Sequence, residues 1–236
     1  MKAMILAAGE GSRLAPLTEH RPKPILPVLN LPHLTYLLSL LRQFGIDEVV
    51  INLHHQAERI VEALGHGDRW GVTISYSFEE RLLGTAGAVK RAERHFSEPF
   101  LVVYGDNLLD VDLGALVHQH RARGAACTIA LHRAPDPTAA GLVETDAEGR
   151  VYRFREKPPR EEVTTEWANG GVYVLDPALL AAIPSEKMID FGHDLFPTWI
   201  KEAVPIYALP EEGVICDIGT PAGYLAAHAE LLSGGA

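Results

Sequence analysis

Cysteine is scarce in this chain, with only Cys127 and Cys216 among 236 residues. Two cysteines make neither a disulfide framework nor a zinc site. Both lie in apolar stretches, Ala126 to Leu131 and Val214 to Ile218, where buried free thiols are expected. Positive charge is also short. Against 31 acidic residues stand 21 basic ones, a net charge of −10, which lacks the basic face that non-specific nucleic-acid binding needs. No hydrophobic run approaches the length of a membrane span, and the apolar N-terminal segment is too short for a signal peptide. A cytoplasmic protein with neither nucleic-acid nor membrane partners is therefore expected. The eleven histidines show no ligand spacing, and His54 and His55, adjacent at a strand end, point to opposite faces. A Gly-Lys-Ser or Gly-Lys-Thr phosphate loop is missing. So is the third glycine of the dinucleotide fingerprint, whose place Leu14 takes.

What is present concentrates near the start. An apolar strand, Ala3 to Leu6, runs into Gly9 and Gly11, then Arg13, then Lys23 held between Pro22 and Pro24. Glycines let backbone amides approach a ligand closely, and successive amides in such a loop form a concave anion site. Arg13 and Lys23 add fixed positive charge beside it, and the flanking prolines restrict the backbone at Lys23. Together these features describe a polyphosphate site. An acidic protein can hold one, because the basic residues are local and metal ions neutralise phosphates.

Apolar runs at Val49 to Leu53, Val72 to Tyr76, Phe100 to Tyr104 and Cys127 to Leu131 suit strands covered on both faces. Between them, His33 to Phe44, Gln56 to Leu64, Ala86 to His95 and Leu113 to Arg123 read as helices, with Gly45 and Gly65 at helix stops. The alternation implies an α/β fold, Rossmann-like and doubly wound, with a mostly parallel sheet. Beyond Gly141 the pattern becomes mixed. Gly141 to Thr145 and Val151 to Arg155 flank a hairpin-like turn, Val172 to Leu175 is a strand, and residues 193–203 are helical. Ile206 to Leu209 and Val214 to Cys216 follow, Pro221 opens a last helix, and the Gly-Gly-Ala end reads as a frayed tail. Residues 1–236 form one expected domain.

The string from Leu6 to Val28, with Pro16-Leu17-Thr18 and Pro22-Lys23-Pro24 in order, resembles the signature of the sugar nucleotidyltransferases, or nucleoside-diphosphate-sugar pyrophosphorylases. Four later segments are similar to parts of the same family: Glu79 to Gly87, Val102 to Asp106, Phe154 to Pro158 with Gly141 and Asn169 to Tyr173, and Cys216 to Pro221. The resemblance implies a glycosyltransferase-A-like nucleotidyltransferase domain, its N-terminal half binding nucleotide and its C-terminal half sugar phosphate. It also implies attack by a sugar 1-phosphate on the α-phosphorus of a nucleoside triphosphate, with release of pyrophosphate. The expected roles are Arg13 and Lys23 in catalysis, and Leu6, Ala7, Ala8, Gly9, Gly11, Glu79 and Gly84 at the nucleotide. Gly141, Glu156, Lys157 and Asn169 are expected at the sugar phosphate, and Asp106 and Asp217 as ligands of Mg²⁺, which binds through one or two carboxylates plus phosphate oxygens.

Glu79 bears on the base. An ionised carboxylate only accepts hydrogen bonds, which complements the adjacent N1–H and 2-amino donors of guanine and opposes the O4 of uracil. GTP with mannose 1-phosphate, or a related manno-configured sugar, is the expected pair. The alternatives are a uridylyl- or thymidylyltransferase acting on glucose 1-phosphate, and a non-catalytic nucleotide-sugar-binding regulatory subunit. Either a monomer or a homodimer is expected.

Overall fold

The computed structural model describes residues 1–234; the last two residues of the Gly-Gly-Ala end lie outside the described residues. By contact the chain separates into two compact units. One comprises residues 1–82, 103–111 and 213–236, the other residues 83–102 and 112–212. They are not successive halves of the sequence, because the last stretch of chain rejoins the first unit. Among the described residues, no helix is long and apolar enough to cross a membrane.

The first unit is built on three parallel strands. Ala3–Leu6 pairs with Glu48–Leu53, in register Ala3 to Val49, and Glu48–Leu53 pairs with Thr73–Phe78. Their Val, Ile and Met residues are buried, as continuous apolar runs covered on both faces should be, while Phe78 at the end of the third strand is exposed. The polar exception in the middle strand is Asn52, only 3% exposed. Helices His33–Gln43 and Ala57–Leu64 connect these strands. A short antiparallel pair, Asn107–Asp110 with Val214–Asp217, sets Asp217 opposite Asn107. The strand Asn107–Asp110 was not expected from the sequence, since it follows Gly105-Asp106 at once and is only four residues long. The final helix, Pro221–Ser233, packs on Val28, Leu108 and Ile218 through Ala227, and the Thr220 hydroxyl caps its start.

The second unit is mainly antiparallel. Trp167–Leu175 pairs with Cys127–Arg133, and Val151–Glu156 with Gly141–Thr145, while Ile206–Pro210 runs parallel to Cys127–Arg133. Two expectations need correction here. The strand expected from Val172 begins at Trp167, because Asn169 to Tyr173 forms a bulge that keeps the Asn-Gly-Gly run within the ladder. The helix expected over residues 193–203 is a π-type turn, Phe191–Leu195, followed by Phe196–Lys201. The Asp190 carboxylate accepts from the amides of Gly192 and His193, which starts that turn early. Phe191, Phe196 and Trp199 stack into the core beside Tyr173. Cys127 is buried as expected, and burial pushes its thiol pKa up, whereas Cys216 is only half-buried.

His33, at the start of its helix, is fully buried, and neither ring nitrogen makes a well-formed hydrogen bond. Burial lowers its pKa to about 4, while the neighbouring Asp106 charge and the Asn107 backbone pull weakly the other way. The folded protein therefore holds this imidazole neutral where the unfolded chain takes up a proton. Its contribution is intact above pH 6.5 and is lost as the pH falls towards 4, by about 3 kcal/mol. Comparing urea midpoints of the parent and His33→Leu at pH 7.5 and pH 4.5 checks this. The variant should lose markedly less stability on acidification, and an equal loss in both proteins would refute it.

Candidate active site

The loop after Ala3–Leu6 turns at Gly11, whose φ of +68° precedes the short turn Ser12–Leu14. A cavity of about 190 Å³ lies beside it. Leu6, Ala7, Gly9, Gly11, Arg13, Lys23 and Asp106 line it, together with Ser12, Pro24, Gly105 and Gly219. Seven of the residues expected from sequence are thus brought to one cavity. Ala8 is buried beside the loop without lining it.

Lys23 is the pivot. Pro22 and Pro24 hold it on a single turn, Lys23–Ile25, and its side chain is 9% exposed. Its Nζ donates to Asp106 Oδ2 at 2.7 Å and stands 3.7 Å from Asp217 Oδ1. Arg13 Nη2 lies 3.8 Å from the other oxygen of Asp217. Two carboxylates from segments 111 residues apart therefore converge on one ammonium, because pairing of Asn107–Asp110 with Val214–Asp217 brings their flanks together. The donor set fits Mg²⁺: hard carboxylate oxygens, both side chains at least one-third exposed, converging on a point where a cation already sits.

Gly219, quoted in the sequence motif without a role, belongs to this cluster. A Cβ there would fall 2.7 Å from Arg13 Nη2, 2.7 Å from Asp217 Oδ1 and 2.8 Å from Lys23 Nζ. The missing side chain is the space in which the two cations and the carboxylate meet. Gly219→Ala should therefore shift the cluster and lower turnover by about 10²-fold, the scale of an ångström-sized misplacement. Steady-state kinetics at saturation, with a melting curve as the folding control, tests this. Near-parental turnover would rule Gly219 out.

Glu79 follows the strand Thr73–Phe78 and is 6% exposed. Three of its contacts are these. Its N–H donates to the Leu53 carbonyl at 2.8 Å, its own carbonyl accepts from His54 Nδ1 at 2.8 Å, and its Oε1 accepts from Asn52 Nδ2 at 2.7 Å. Asn52 Oδ1 in turn accepts from the Ala7 N–H at 2.8 Å. The Ala7 amide, expected at the nucleotide, is thus engaged by Asn52. Sequence reasoning missed Asn52, and its signal was a polar residue inside an otherwise apolar strand.

The remaining expected residues lie in the second unit. Gly84 opens the helix Gly84–Arg91 with a φ of +71°, and a Cβ there would meet the Ile189 carbonyl at 2.5 Å, so backbone packing accounts for this glycine. Glu156 pairs with Gly141 across the ladder. Its Oε2 would lie 2.7 Å from a Cβ on Gly141 and 2.8 Å from one on Gly192, so the carboxylate occupies a slot between two glycines. Lys157 Nζ is 3.6 Å from Glu156 Oε1 and mostly exposed. Asn169 lies in the strand, donates to the Tyr173 hydroxyl at 2.7 Å and accepts from the Gly171 N–H at 3.0 Å.

The site thus joins a glycine-walled cavity to two basic side chains and a pair of carboxylates. The family described as nucleotidyl transferase matches residues 2–234, and the chain belongs to it. A UTP–glucose-1-phosphate uridylyltransferase from Synechocystis sp. is 39% identical over 99% of this chain and 64% of its own length. A mannose-1-phosphate guanylyltransferase from Mycobacterium tuberculosis is 35% identical over 98% of this chain and 65% of its own. The chain thus spans a little under two thirds of the length of these curated relatives. Among solved structures, a Bacillus anthracis protein assigned as a glucose-1-phosphate thymidylyltransferase, in complex with sucrose, superposes with a TM-score of 0.87. It is 25% identical, and the match covers 97% of this chain and 94% of that one. HddC from Yersinia pseudotuberculosis, complexed with GMP-PN, shares the fold at a TM-score of 0.83 and 24% identity, over 98% of this chain and 99% of its own. The parallel strands, antiparallel strands and flanking helices accord with the expected glycosyltransferase-A-like α/β fold.

Proposed function

We propose that this protein joins a nucleoside triphosphate to a sugar 1-phosphate, giving a nucleotide sugar and pyrophosphate. The observation that carries the reading is Lys23 Nζ held between Asp106 and Asp217 at the glycine-walled cavity. The nucleophile is already an anion, so the chemistry needs alignment and charge neutralisation more than a general base. Arg13 and Lys23 would hold the triphosphate and stabilise the charge that develops on the leaving pyrophosphate. Asp106 and Asp217 would hold Mg²⁺, which supplies further neutralisation of the phosphate oxygens when bound. In the second unit Glu156 would accept from sugar hydroxyls, the Gly141 amide and Asn169 would assist, and Lys157 would contact the sugar phosphate.

GTP with mannose 1-phosphate, or another manno-configured sugar, is the favoured pair. An ionised Glu79 side chain is acceptor-only, which suits the N1–H and 2-amino group of guanine. The second reading, UTP with glucose 1-phosphate, is favoured by the 39% identity to the Synechocystis enzyme. A panel of nucleoside triphosphates against sugar 1-phosphates, scored by pyrophosphate release in Mg²⁺, separates the two. The expected result is a kcat/KM for GTP at least about tenfold above that for UTP, since one good bidentate base contact is worth about 1–3 kcal/mol. A preference for UTP would transfer the assignment to the second reading.

A further inference from the structure

On the reading above that Glu156 contacts the sugar, we propose that Gly192 is a positioning residue for that contact: the room left by its missing side chain holds the Glu156 carboxylate where it can accept from sugar hydroxyls. The carboxylate is not used up inside the protein. Among the described residues no donor lies within hydrogen-bond distance of it, Lys157 Nζ stands 3.6 Å from Oε1, and the side chain is 32% exposed. A carboxylate with so little internal support takes its orientation from the walls around it. Its Oε2 lies where the side chains of two glycines would begin, 2.7 Å from a Cβ on Gly141 and 2.8 Å from one on Gly192. The wall at Gly192 is firmly held. Gly192 is buried, and its N–H donates to Asp190 Oδ1 at 2.9 Å. The Thr85 hydroxyl donates to Asp190 Oδ2 at 2.7 Å and accepts from the Phe191 N–H at 2.9 Å. The yielding partner is therefore the end of the Glu156 side chain, and a methyl group at position 192 would displace the carboxylate rather than the turn. The other atoms near that methyl group, Asp190 Oδ1 and Phe154 Cε1, are both 3.4 Å away, an ordinary contact. Nor does the turn Phe191–Leu195 need glycine for its own sake, since alanine is favoured over glycine in helical backbone. Gly141 differs, because a Cβ there would also meet Phe154 Cζ at 2.7 Å, and core packing alone accounts for that glycine.

Gly192→Ala should therefore melt close to the parent and raise the KM for sugar 1-phosphate by about tenfold or more, the scale of a lost hydrogen bond to a charged group. The KM for the nucleoside triphosphate, measured at saturating sugar phosphate, should stay close to parental. Glu156→Ala should raise the sugar-phosphate KM at least as far. The double variant G192A/E156A should match E156A, because once the carboxylate is gone the methyl group has nothing to displace. Two independent structural defects would instead add. The experiment is this cycle of four proteins, each with both KM values, kcat and a melting curve, on the substrate pair the protein prefers. A rise in E156A with none in a folded G192A overturns the role of Gly192 and leaves Glu156 at the sugar. No rise in E156A removes that reading of Glu156, and the proposal with it. A loss in the double variant beyond that of E156A, or an equal rise in the triphosphate KM of G192A, marks a general distortion and also overturns it. If G192A does not fold, the double variant decides. With Oε2 gone it should fold, and a second failure would show that the methyl group collides elsewhere and would overturn the role of Gly192.

Discussion

Asp106→Asn should fold normally and lose nearly all turnover, by about 10³-fold, since metal-assisted neutralisation of a reacting phosphoryl group is worth several kcal/mol. Asp106 is one-third exposed, sits between a buried strand and the short pair Asn107–Asp110, and touches Lys23 through Oδ2. An asparagine keeps the shape and can keep the contact, with its amide oxygen accepting from Lys23. What it removes is one of the two negative charges that would draw a divalent cation to the position. The loss should therefore appear in kcat with a raised Mg²⁺ requirement, while the melting temperature moves little. Excess chelator should silence the parent protein in the same way. Full parental turnover in chelator without divalent ions would sink the metal assignment for both Asp106 and Asp217.

Lys23→Met should cost about 10²–10³ in turnover, the usual loss when a preorganised donor to developing charge is removed. Methionine keeps the length and apolar character of the stem, which matters because the Lys23 side chain is 9% exposed. The variant separates charge from packing. Removing the ammonium also leaves Asp106 and Asp217 facing each other without the cation between them. Mg²⁺ dependence should change together with turnover, whereas Arg13→Met, whose side chain is largely exposed and 3.8 Å from Asp217, should affect turnover more than stability. Single-turnover rates and thermal melts of both variants check this. A Lys23→Met protein that folds and turns over at the parental rate at saturation would remove Lys23 from the reacting centre.

The glycine-lined loop was legible in the sequence because its determinants are local. Gly9, Gly11, Arg13 and the proline-bracketed Lys23 lie within fifteen residues, and the structure sets all four around one cavity. The helices and most strands were legible for the same reason, as with Phe100–Tyr104, Leu113–Arg123 and Gly141–Thr145, where period and punctuation agree. What the sequence did not disclose is long-range. Asp106 and Asp217 could each be placed at a strand end, but their meeting at one ammonium depends on a four-residue strand pair that no periodicity reveals. Asn52 looked like an ordinary strand residue until Ala7 and Glu79, 45 and 27 positions away, came into contact with it. Gly192 could not be connected to Glu156 from spacing, since only the folded ladder and the Asp190-initiated turn place its bare Cα beside that carboxylate. The Asn-Gly-Gly run misled for a physical reason, since a bulge lets turn-forming residues remain in a ladder.

Nucleotidyl transfer itself is tested most directly with an oxygen label. The protein is given Mg²⁺, the nucleoside triphosphate and sugar 1-phosphate it prefers, and ¹⁸O in all four phosphate oxygens of the sugar phosphate, and the products are read by mass spectrometry. If Arg13, Lys23, Asp106 and Asp217 align that phosphate for attack on the α-phosphorus, all of the label is retained in the nucleotide sugar. Pyrophosphate then appears unlabelled, in equal amount, and only when the sugar phosphate is present. Label in pyrophosphate, or pyrophosphate released at the same rate without sugar phosphate, would contradict it.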